Sequence, residues 1–176
     1  MNLKTRSLTA LLMLAVLLCA ACGAAEVVNG LELAIDAAEA VLPAIAAAAT
    51  LPPATLTLID NYLAAVATAL SKTSALLASG SPSDVEASQI VALFASAVAP
   101  ALPAGTPQSV AAAVQAVGNA VANFLAQFQV STTPAGGTAF AASKKLSSVK
   151  LTAEQRKKAA QLKARADAVL AKIPKK

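Results

Sequence analysis

The chain has 176 residues, of which 57% are apolar but only 3% aromatic, with a net charge of +5 and no histidine. Without histidine, the side chain most used for acid–base work and metal binding is missing. Both cysteines, Cys19 and Cys22, lie near the start, so no disulfide can staple the remainder.

The first residues, MNLKTRS, carry Lys4 and Arg6 and no acid. An uncharged apolar run follows over residues 8–18, and then small residues from Cys19 to Ala25. A basic start, a short apolar centre and a small-residue exit are the three parts of a secretory signal peptide. The run falls short of the ~20 apolar residues that span a bilayer. We therefore expect residues 1–21 to be a signal peptide, removed on export.

Leu18-Cys19-Ala20-Ala21-Cys22-Gly23 resembles the lipobox of bacterial lipoproteins, with Ala20, Ala21 and Cys22 matching its small-small-Cys ending. The resemblance covers the signal region alone. It implies cleavage before Cys22 and acylation of that cysteine by a diacylglyceryl group and a further chain such as palmitate. It also implies an outer-membrane or periplasmic-face location in a Gram-negative cell and the cell surface in a Gram-positive one. About two chains suffice for a stable anchor. A competing reading places the cut after Ala25, with Gly23 and Ala25 as the recognition pair, and leaves no anchor.

Charge is divided unevenly along the mature chain. Residues 22–143 hold one lysine, Lys72, against seven acids, a net of −6; residues 144–176 hold eleven basic and two acidic residues, a net of +9. Such a split suggests a basic tail on a mildly acidic body.

Alanine, the strongest helix former, dominates, so an all-α fold is expected. The first apolar stripe is Val28, Leu31, Ile35, Ala38, Leu42 and Ile45, with Glu32, Asp36 and Glu39 on another face and a kink or break expected at Pro43. The second is Ile59, Leu63, Val66, Leu70, Thr73 and Leu77, preceded by Pro52-Pro53 and stopped by Gly80. Ser83-Asp84-Val85-Glu86 reads as a capping box opening a third helix, with Ile90, Leu93, Phe94, Ala97 and Val98 as its apolar face. Thr106-Pro107 should open a fourth, carrying Val110, Val114, Val117, Val121, Phe124 and Phe128.

Pro134 and Gly136-Gly137 mark residues 131–151 as a flexible linker. A second capping box, Thr152 with Gln155, starts a last helix with Leu162, Ala166, Val169, Leu170 and Ile173 on one side. The expected organisation is a bundle of about four helices over residues 22–130, with a separate basic amphipathic helix over residues 152–176.

No phosphate loop or nucleophile elbow appears, the Cys-x-x-Cys spacing of Cys19 and Cys22 falls in the expected signal region, and the expectation is a non-enzymatic protein without a cofactor. Glu32, Asp36 and Glu39 could hold a hard cation, but a solvated acidic face explains them more simply. The candidate contacts for an anionic partner are Lys144, Lys145, Lys150, Arg156, Lys157, Lys158, Lys163 and Arg165. Anionic lipid, a wall polymer or an acidic protein would suit them. Nucleic acid ranks last, because no aromatic side chain is interleaved with the charges. Two other roles compete with a binding or structural one. The uncharged stretch over residues 87–128 could perturb membranes, and kinks at Pro43 and Pro100 could open a space for an apolar ligand.

Overall fold

The computed structural model describes the backbone of residues 3–48, 51–80, 83–97, 99–126 and 149–174, with side chains from Gly23 onward. The described residues are all-α. Five helices follow one another: α1 Leu3–Ala47, α2 Pro53–Ser79, α3 Asp84–Ser96, α4 Gln108–Ala126 and α5 Ala153–Lys172.

The local signals for these helices work as read. Ser83 Oγ accepts from the Glu86 amide and Glu86 Oε2 accepts from the Ser83 amide at 2.9 Å, so the predicted capping box starts α3. Thr152 and Gln155 do the same for α5. Gly80 ends α2 at φ 141°, a backbone region that L side chains rarely enter.

Two boundaries differ from expectation. α1 runs through Pro43 to Ala47 without a break. Pro43 is exposed and lies about one turn from the helix end. Thr106 does not cap α4. Its hydroxyl turns back to donate to the Pro103 carbonyl at 2.8 Å, and the Pro107 carbonyl accepts from the Ala111 amide instead.

The stripes close the core. All six members of the second stripe are buried, as are Val28, Leu31, Ile35 and Ala38 of the first and Val110, Val114, Val117, Val121 and Phe124 of the fourth. Leu42 and Ile45 are only half-buried, and Val41 takes the inward place. Val98 and Phe128 lie outside the described residues.

α5 is where the tertiary structure departs most from the sequence reading. It is no separate tail helix: it packs along α2 over the longest helix–helix interface of the described residues, and also against α1. Ala159, Leu162, Ala166 and Val169 are buried in the shared core. The physical reason is its apolar stripe, which at +9 local charge looks like a minor feature but is enough to fill the groove between α1 and α2. Most of the expected linker, residues 131–148, lies outside the described residues.

Directions follow from the contacts. Lys158 meets Asn29 and Glu32 while Arg165 meets Asp36 and Glu39, so α5 runs parallel to α1. Ser71 meets Asp167, and Gly80 shares a cavity wall with Arg156, so α5 runs antiparallel to α2. On α2, Tyr62 and Ser71 are two and a half turns apart and so point to opposite sides. Ser71 faces α5, and Tyr62 faces Gly118 of α4, whose Phe124 stacks at a tilt on Phe94 of α3 at 5.4 Å.

Candidate functional site

The candidate contacts with an anionic partner do not form one surface. Lys158 Nζ lies 2.7 Å from Glu32 Oε2 and 3.4 Å from Asn29 Oδ1. Arg165 donates from Nε to Glu39 Oε1 at 3.1 Å and from Nη2 to Glu39 Oε2 and Asp36 Oδ1, each at 2.6 Å. These hydrogen bonds, to Glu39 first and Asp36 second, raise the guanidinium pKa still further above its ordinary value. Lys163 Nζ holds Asp167 Oδ2 at 2.6 Å on the same helix, and Ser71 Oγ donates to the other oxygen, Oδ1, at 2.5 Å. Lys163 and then Ser71 hold the Asp167 carboxyl below its ordinary range.

The acidic face of α1 is partly exposed, but its three carboxylates are paired with α5. It is the counter-charge that docks α5. Among the described residues, no group of three acids, histidines or cysteines could hold a metal ion. A signal for this pairing was present in the sequence: Glu32 and Glu39 are seven residues apart, and so are Lys158 and Arg165. Two helices in parallel register bring such repeats together every two turns.

Three of the predicted contact residues remain available. Lys150, Arg156 and Lys157 are exposed and make no ion pair among the described residues. Lys144 and Lys145 lie outside the described residues. Lys150 and Arg156 line a cavity of about 360 Å³ together with Leu151 and Gly80. It sits where α2 ends and α5 begins. By the register above, this is the end of the bundle at which α1 arrives from Cys22. Cys22 itself lies within α1, and its side chain is outside the described set.

One buried polar atom stands outside these networks. Tyr62 Oη has no hydrogen-bond partner among the described residues, and burial pushes its pKa up to about 12. It lies 3.5 Å from the place a Cβ on Gly118 would take. Asn119 and Asn123 are exposed, and Gln115 Nε2 donates to Asn119 Oδ1 at 3.2 Å. α2 and α4 are long and apolar enough to cross a membrane, though in this fold their apolar stripes close the core.

No protein-family model, curated protein or solved structure matches this chain.

Proposed function

We propose that this protein is an exported, lipid-anchored helical bundle with a non-enzymatic binding or structural role in the cell envelope. The observation that carries the reading is the segment Leu18-Cys19-Ala20-Ala21-Cys22-Gly23 standing directly ahead of the bundle. Ala24, two residues past Cys22, is the first described residue that is buried. A chain cut before Cys22 keeps every described core residue and gains a membrane anchor at one end of the bundle. Acylation by about two chains makes that attachment stable. Lys150, Arg156 and Lys157, which make no ion pair among the described residues, give the bundle a means of contacting an anionic partner.

The test is the mass of the N-terminal peptide from protein expressed with its own leader. A peptide starting at Cys22 with diacylglyceryl and acyl mass is expected. An unmodified peptide starting at Glu26 would remove the anchor from the proposal.

A membrane-perturbing role of residues 87–128 is the second reading, favoured by the length and apolarity of α4 within that stretch, which α2 outside it shares. It requires these helices to leave the core. Dye leakage from vesicles on addition of the purified chain is its signature.

A further inference from the structure

We infer that the cavity between the end of α2 and the first turn of α5 is a phosphoryl-anion site, and that its ligand is the headgroup of an anionic phospholipid in the leaflet that holds Cys22. The choice of source rests on the anchoring proposed above; the chemistry of the site does not. Three observations meet here.

The first is charge. Of the six predicted contact cations that the structure describes, Lys158, Lys163 and Arg165 are engaged with carboxylates of the bundle. Lys150 and Arg156 make no ion pair among the described residues, and both line the same cavity. An arginine fork beside a lysine point charge suits a phosphoryl group, which accepts from both.

The second is shape. The cavity measures about 360 Å³, and Leu151 supplies an apolar wall beside the cations. A glycerophosphate headgroup with the start of its acyl region presents that same pairing of an anion next to apolar surface.

The third is position. α5 runs parallel to α1 with Lys158 level with Asn29 and Glu32. Residues 150–156 are therefore level with the start of the bundle near Gly23, next to the proposed lipid. The acids at this end are Glu26, Asp84, Glu86 and Glu154, and none lines the cavity among the described residues. Glu86 is held in its capping box by the Ser83 amide and hydroxyl.

Backbone amide shifts of the full chain in a neutral detergent test the site. The titrants are short-chain phosphatidylglycerol, short-chain phosphatidylcholine, glycerophosphoglycerol and inorganic phosphate. Saturable shifts at Gly80, Leu151 and Arg156 with phosphatidylglycerol are expected, weakened at least about tenfold in Lys150→Ala/Arg156→Ala and retained in Lys163→Ala. Equal response to phosphatidylcholine, or no response, overturns the site. So does a double variant that lowers Tm but leaves the titration unchanged, because the two cations then only answer the negative end of α2. A response to inorganic phosphate without one to the lipid overturns the lipid source. The same titration of Cys22→Ala separates the two proposals: loss of acylation leaves the pocket's shifts intact, whereas a failed pocket leaves acylation intact.

Discussion

Arg165 grips Glu39 with two hydrogen bonds, Nε to Oε1 at 3.1 Å and Nη2 to Oε2 at 2.6 Å, across 126 residues of sequence. The same Nη2 reaches Asp36 at 2.6 Å. One guanidinium thus ties α5 to two carboxylates a turn apart on α1. A lysine has no planar fork and cannot make this arrangement.

Arg165→Lys should therefore destabilise the bundle, despite conserving charge, by about 0.5 kcal/mol, and Arg165→Ala by about 1 kcal/mol. The network is partly exposed, so the difference between wild type and Arg165→Ala should shrink as salt rises. Urea denaturation at low and high ionic strength measures both effects.

The buried face of α5 gives a sharper test of its place in the fold. Ala166 is 1% exposed. Ala166→Glu puts a carboxylate into the interface with α2, and a loss of at least about 3 kcal/mol is expected. Ala164→Glu, on the exposed side of the same helix, should change stability by less than about 0.5 kcal/mol. Equal tolerance of the two changes, read by thermal denaturation, would show that α5 does not belong to the bundle.

Tyr62 is the only tyrosine, and the chain has no tryptophan, so its ionisation can be followed by absorbance without interference. The midpoint is expected at about 12 in the folded protein. A phenol whose pKa is raised on folding from its ordinary value of about 10 leaves stability unchanged below pH 10 and lowers it as pH rises toward 12. Tyr62→Phe removes a buried hydroxyl that has no partner among the described residues, while keeping the ring. It should be neutral or stabilising by up to about 1 kcal/mol, and the loss of stability above pH 10 should diminish.

Gly118 lets α4 approach its neighbours closely. A Cβ there would lie 3.2 Å from the Ala99 Cβ and 3.5 Å from Tyr62 Oη. Gly118→Ala gains about 1 kcal/mol of helix propensity and spends a comparable amount on that tight contact, so a net change within about 0.5 kcal/mol is expected. Gly118→Val forces branched atoms into the same space and should cost about 2 kcal/mol or more. Chemical denaturation of the pair checks the contrast.

Asp167 links α5 to α2 through Ser71 and is held below the ordinary carboxyl range by Lys163 and Ser71. A carboxyl whose pKa is lowered on folding adds stability above its unfolded pKa, and that stability is lost as pH falls through the folded one. Wild type should therefore lose stability more steeply than Asp167→Asn below about pH 4. Parallel slopes for the two proteins in an acid titration followed by circular dichroism would contradict this role.

The sequence by itself determined the helices, because the information for each is local. Apolar spacing of three and four placed Ile59, Leu63, Val66, Leu70, Thr73 and Leu77 on one face, and all six are buried. Ser83 with Glu86 and Thr152 with Gln155 set two helix starts through contacts three residues long. Only the tertiary structure decided the meaning of the charges. Whether Arg165 is a solvated cation, a contact for a partner or an internal tie depends on what lies across from it, and Asp36 and Glu39 are 129 and 126 residues away. The same holds for α5 as a whole. Its apolar stripe fits a free amphipathic helix as well as a bundle member until Ala159, Leu162, Ala166 and Val169 are seen buried where α5 packs on α1 and α2. It took that fold, too, to bring Lys150 and Arg156 together beside Gly80, at the end of the bundle that α1 enters from Cys22.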